Sequence, residues 1–173
     1  FKSEPYMMPL DAFPDSFGKD IAAWADRMSN PDPFDLSAPA RALRPATLES
    51  YHYMFRRLAS ALVRSEALPI ERITGLAVFF DQQVFKAALR PFLRGDRITT
   101  DAYAHKMATQ MIAVGRHYLG LEEADLAPFV QIAKRLRTSS DRKMGARNFE
   151  RLKQFDEAAM VQRLLNFPEE ELG

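Results

Sequence analysis

Three histidines, His52, His105 and His117, are the only imidazoles in the chain, and imidazole is the side chain best suited to proton transfer or metal ligation near neutral pH. They fall on separate expected helices, without the spacing that would make two of them ligands of one ion. The chain has no cysteine, which removes thiolate zinc sites, disulfides and thiol redox chemistry and fits a reducing compartment. Its seven glycines are scattered and build no phosphate loop, and no serine sits in a nucleophile elbow. No pair of carboxylates is set apart as acid and base. The expectation is a chain that is not itself an enzyme, with no cofactor, no metal and no small-molecule substrate.

The chemistry that remains is that of cations. The net charge of +1 hides a division: residues 1–36 carry −4, residues 37–155 carry +9 and residues 156–173 carry −4. A basic middle between acidic ends suggests a polyanion-binding surface, because the local field and not the total charge attracts phosphate. The stretch from Lys134 to Lys153 is the most basic, with Lys134, Arg135, Arg137, Arg142, Lys143, Arg147, Arg151 and Lys153 against Asp141 and Glu150. Duplex DNA needs several cations on one face, with hydroxyl and amide groups to fix register. Arg44, Thr47, Ser50, Tyr53, Arg56 and Arg57 meet that need on one expected helix, and Lys106, Thr109, Gln110, Arg116 and His117 on another. Gln pairs well with adenine and Arg with guanine when a helix enters the major groove. Each of these residues also has an ordinary alternative as part of a solvated helix face.

Helices must position them. Seven of the eleven prolines lie in residues 1–45, which marks a loop-rich lead-in, since proline removes a donor and restrains the residue before it. Within it, Lys19–Met28 places Ile21, Trp24 and Met28 at helical spacing, a short helix that docks by its tryptophan. Pro45-Ala46-Thr47 looks like a helix start, with Thr47 as the cap. Leu48, Tyr51, Phe55, Leu58 and Leu62 then form one stripe. A second helix is expected over Ile73–Leu93, with Asp81 as a plausible cap and Val84, Phe85, Ala88, Leu89 and Phe92 inward. Thr99-Thr100-Asp101 caps a third, running to about Tyr118 on Tyr103, Met107, Met111 and Val114. Gly120 turns the chain into a fourth, Glu123–Arg137, with Leu126, Phe129, Val130, Ala133 and Leu136 buried. The fold class is all-α: a compact bundle of four main helices, with no alternating strand pattern. A further short helix or ordered linker is expected over Arg142–Gln154. No apolar run is long enough to cross a bilayer, and the start lacks a secretory signal, which points to a cytoplasmic protein.

Residues Leu43–Val63 (LRPATLESYHYMFRRLASALV) resemble the opening helix of the SAM-like core-binding domain of tyrosine recombinases, the phage-integrase type, in which a Thr at the helix start is followed four residues later by Tyr, as Thr47 and Tyr51 are here. Asp32–Thr47 resembles the approach to that helix, and Lys143–Glu157 (KMGARNFERLKQFDE) is similar to the exit toward the catalytic domain. The likeness covers about residues 19–167. It implies half of a C-shaped clamp on a recombination site, with the first and third helices near the major groove and with duplex DNA and other recombinase protomers as partners. It also implies a division into a lead-in (1–45), the bundle (46–140), a basic linker (141–155) and the start of an absent catalytic domain (156–173). The family's catalytic residues include a His-x-x-Arg pair and a nucleophilic Tyr. Here the residues three beyond each histidine are Phe55, Ala108 and Gly120, and Tyr51, Tyr53, Tyr103 and Tyr118 lie inside bundle helices. The alternative is a helical protein-interaction or ligand-sensing bundle, in which Met and aromatic side chains surround a pocket.

Overall fold

The computed structural model describes residues 7–93 and 97–137, which fall within one compact unit. Its first helix, α1 (Asp15–Ser29), follows Pro14 and sets Phe17, Ile21, Trp24 and Met28 at steps of three and four, all of them buried. It is longer than Lys19–Met28. It also shares the bundle's core: the Trp24 ring lies 4.9 Å from that of Tyr51 and meets Phe55 edge-on at 5.0 Å. Burying each such side chain stabilises the fold by about 1.5–3 kcal/mol, so α1 is a working member of the bundle. Asn30 ends it, ahead of Pro31.

Helix α2 (Pro45–Arg64) starts at its proline, whose fixed φ and missing N–H suit the first helical position. Arg44 is therefore the N-cap residue, in extended conformation, and Thr47 lies inside the first turn without capping anything. That corrects the expectation for Thr47. Met54, Phe55, Leu58, Ala61 and Leu62 are buried, whereas Leu48 and Tyr51 are half-buried. The buried Ser60 hydroxyl is occupied: it accepts the Met8 N–H at 2.8 Å.

The expected second helix is broken into three. A 3-10 segment, Leu76–Phe80, gives way to α3 (Gln82–Leu89), and a second 3-10 segment, Arg90–Leu93, follows. Asp81 does cap α3, its carboxylate accepting the N–H groups of Gln83 and Val84 at 2.8 and 3.1 Å. Pro91 accounts for the tightening after Leu89, because it lacks the N–H an α-helix would need there.

Helix α4 (Arg97–His117) begins ahead of the Thr99–Asp101 signal and runs to the turn at Gly120. Gly120 has φ +66°, a left-handed conformation that costs glycine little, and α5 (Glu123–Leu136) returns alongside α4. Among the described residues there is no β-strand, and the main helices number five where four were expected. Phe129 of α5 packs on Phe85 and Phe80, with ring centres at 5.0 and 5.4 Å. One carboxylate, Asp20 of α1, holds two distant pieces together: it accepts the Leu76 N–H at 2.6 Å and the Tyr118 hydroxyl at 2.5 Å. The expected segments 141–155 and 156–173 lie outside the described residues.

Candidate nucleic-acid interface

The relative directions of α2, α4 and α5 decide where their cations go. Arg57 of α2 donates to the Tyr103 hydroxyl at 3.2 Å, while Tyr51 lines the same pit as Ala113, Val114 and His117, so α2 and α4 are antiparallel. Glu123 pairs with Arg116 at 2.7 Å and the Ala133 carbonyl lies 2.8 Å from His105 Nδ1, so α5 is antiparallel to α4 as well. Tyr103 and His105 are neighbours on α4. Lys106, the second half of α2 and the last turn of α5 therefore meet at one end of the bundle.

That end carries Arg57, Arg64, Lys106, Lys134, Arg135 and Arg137. Lys86 and Arg90 join it, because Arg90–Leu93 is the segment whose Phe92 ring packs on the Arg57 guanidinium. Lys86 and Arg90 rim a hollow of about 450 Å³ against Ser65, the residue that ends α2. Acids are not excluded, since the exposed Glu66 follows α2 there. The opposite end is mixed: Glu122 is the N-cap residue of α5, Glu123 and Asp125 lie in its first turn and Asp32 and Asp35 on the loop after α1, but Arg27 and Arg116 pair with two of these acids and Arg41 and Arg44 are exposed there. Acidic first turn and basic last turn also suit the dipole of α5.

Arg57 organises this end. Its guanidinium sits over three rings, Phe92 at 5.0 Å, Tyr103 at 5.1 Å and Tyr53 at 5.6 Å. Cation–π contact of this kind contributes on the order of 0.5–2 kcal/mol, and it fixes the arginine while leaving Tyr53 half-exposed. Ser50, Tyr53 and Arg57 follow one another on one face of α2, and Lys106 and Gln110 on one edge of α4, next to Tyr103. Lys106 has no hydrogen-bonded or ionic partner among the described residues.

Other expected contacts are not brought to this end. Arg56 turns to the lead-in and donates to the Met8 carbonyl at 3.2–3.3 Å. Arg116 is held by Glu123, each of the pair stabilising the other's charged form, which raises the arginine's pKa and lowers the carboxylate's. His117 faces the Ser37 carbonyl at 3.0 Å, and its own carbonyl accepts from Arg27. Arg44 is exposed at the start of α2. Thr109 does lie at the basic end, exposed between Lys106 and Gln110, with its hydroxyl donating back to the His105 carbonyl. Arg142, Lys143 and Arg147 lie outside the described residues.

Arg64, Lys86 and Arg90 were not singled out from sequence. The signal was present for Arg64, two helical turns beyond Arg57 on the same face, and for Lys86 and Arg90, spaced four apart on the outward side of the second helical pattern. His52 stands aside, edge-on to Trp24 at 6.1 Å, its pKa lowered by burial and partly restored by Glu49. Among the described residues no three His, Asp or Glu side chains gather as metal ligands, and no helix is long and apolar enough to cross a membrane. No family model, no curated protein and no solved structure matches this chain.

Proposed function

We propose that this chain is a duplex-DNA-binding module of the tyrosine-recombinase core-binding kind, which grips the phosphate backbone with the basic end of its bundle while strand cleavage is done elsewhere in the recombinase. The observation that carries the reading is that cations of α2, α4 and α5 come together around Tyr103 and His105, with Lys86 and Arg90 beside the end of α2. Four elements offering positive charge at one end suit a continuous line of phosphates better than a small anion, which one or two cations would hold. Tyr53, Ser50 and Gln110 stand on the adjoining helix edges, where hydroxyl and amide groups can fix the register of the duplex. The reading is narrower than the sequence expectation, because Arg44, Arg56, Arg116 and His117 are engaged or lie elsewhere.

Affinity for a short duplex, measured across salt concentrations, tests it. Lys106→Ala, Lys134→Ala and Arg135→Ala together change only exposed side chains, so a thermal melt should stay near that of the unsubstituted protein. The plot of log affinity against log salt should flatten by about 0.9 for each phosphate that is no longer neutralised. Arg44→Ala, at the other end, should leave the slope alone. Binding that ignores salt, or a triple variant with the original slope, removes the reading.

The protein-interaction alternative has one observation in its favour, an apolar pit and two exposed apolar side chains at the end away from these cations.

A further inference from the structure

Two large apolar side chains stand in solvent on the loop after α1: Phe34 is 91% exposed and Leu36 is 98% exposed. The backbone that carries them is pinned. Asp32 Oδ1 accepts the Phe34 N–H, and Asp35 Oδ1 accepts the Ser37 N–H, each at 2.9 Å. Arg27 reaches Asp35 at 2.7 Å and the Ser37 hydroxyl at 2.9 Å, while His117 holds the Ser37 carbonyl. Such a loop presents its apolar pair at little further entropic cost to whatever receives it.

A receiver lies on the same molecule. Trp24, Met28, Leu43, Tyr51, Ala113 and Val114 line an apolar pit of about 180 Å³, and a cavity of roughly 150 Å³ already accepts a benzene ring. Pro39 and Leu43 belong to the stretch of loop that leads from Phe34 into α2, so knob and pit sit side by side. The charges also match: Asp32 flanks the knob, and the exposed Arg41 and Arg44 flank Leu43 at the pit. A projection adjacent to its own complement suits a two-fold pair, in which each copy gives what it takes.

We propose that two copies of this chain associate at the end away from the basic cluster, each inserting Phe34 into the other's Trp24 pit, with Leu36 packed on the rim and Asp32 facing the partner's Arg41 and Arg44. Two rings and two leucines make a small interface, so the pair exchanges, with a dissociation constant on the order of 10–100 μM. The proposal does not depend on DNA binding.

The full chain reports on this through its single tryptophan, which forms part of the pit. Sedimentation across a concentration series should show monomer converting to dimer, and Trp24 fluorescence should change over the same range. Phe34→Ser with Leu36→Ser alters only exposed positions and should weaken association at least about a hundredfold. Ala113→Met, which fills the pit, should do likewise, and mixing the two variants should restore partial association, because one offers pits and the other knobs. Four results overturn the proposal: a monomer at about 1 mM, well above the expected range; a dimer that survives the Phe34 and Leu36 changes; a fluorescence change independent of concentration, which would mean the pit is filled by the chain's own residues; or two variants that fail to complement.

Discussion

Tyr118 shows how much one hydroxyl can carry. Burial first, and then its bond to Asp20, push its pKa up to about 12. A phenol whose folded-state pKa is raised contributes stability that is complete below about pH 10 and is lost as pH rises through about 12. Alkaline unfolding of the protein should therefore begin near pH 10, and Tyr118→Phe should flatten that limb of the stability profile while lowering stability at neutral pH. A melt series from pH 7 to about 11 checks it, and an unchanged alkaline limb in the variant would place the sensitivity elsewhere. Asp20 works from the other side of the same bond, and its second oxygen holds the Leu76 N–H where the 3-10 segment begins. Arg57 is comparable at the basic end, where one guanidinium gathers the rings of Phe92, Tyr103 and Tyr53 from three elements.

At the scale of elements, Gly115 is where α4 leaves no room for a side chain. A Cβ there would lie 2.7 Å from the Phe80 ring and 2.9 Å from Leu126. Gly115→Ala gains about 1 kcal/mol of helix propensity but forces the start of α5 away from α4 against a packed core. A net loss of about 1–2 kcal/mol is expected, read as a drop of several degrees in Tm, with the α4–α5 pair loosened first in hydrogen exchange. The helices themselves were largely legible in the sequence, because Leu58, Leu62, Met107, Met111, Leu126, Phe129 and Ala133 repeat at the period that buries them. The break around α3 was less so, since Leu76, Phe79, Phe85 and Leu89 keep an apolar face whether the backbone is α or 3-10, and two residues, the cap Asp81 and Pro91, marked the change. Thr47 looked like a cap by residue type, but Pro45 fixes the start earlier. The site was legible in part. Outward positions on α2 and α4 followed from periodicity, but the end of the bundle at which cations gather depends on which helices run antiparallel, and no local pattern encodes that. Arg56, Arg116 and His117 were hidden for a related reason, as their partners Met8, Glu123 and Ser37 come from other elements.

At the scale of the molecule, the described residues share one core that begins before the proline-rich stretch ends. Phe13, Phe17, Ile21, Trp24 and Met28 are all at most 4% exposed and lie in the same cluster as Phe55, Leu58 and Met111. A fragment beginning at Pro45 should therefore expose a broad apolar face, bind a hydrophobic dye and lose its cooperative melt, whereas one beginning at Met7 should unfold sharply. A cooperative melt from the shorter fragment would show that α1 is dispensable. The positions that read most like a hinge between modules, Pro31 to Pro45, instead tie two halves of a single folding unit, with the Leu43 N–H donating to the Met28 carbonyl across them. Cutting the chain at that stretch would leave two pieces with bared apolar faces, so the smallest portable block must start upstream of Met8 and is larger than its punctuation suggests.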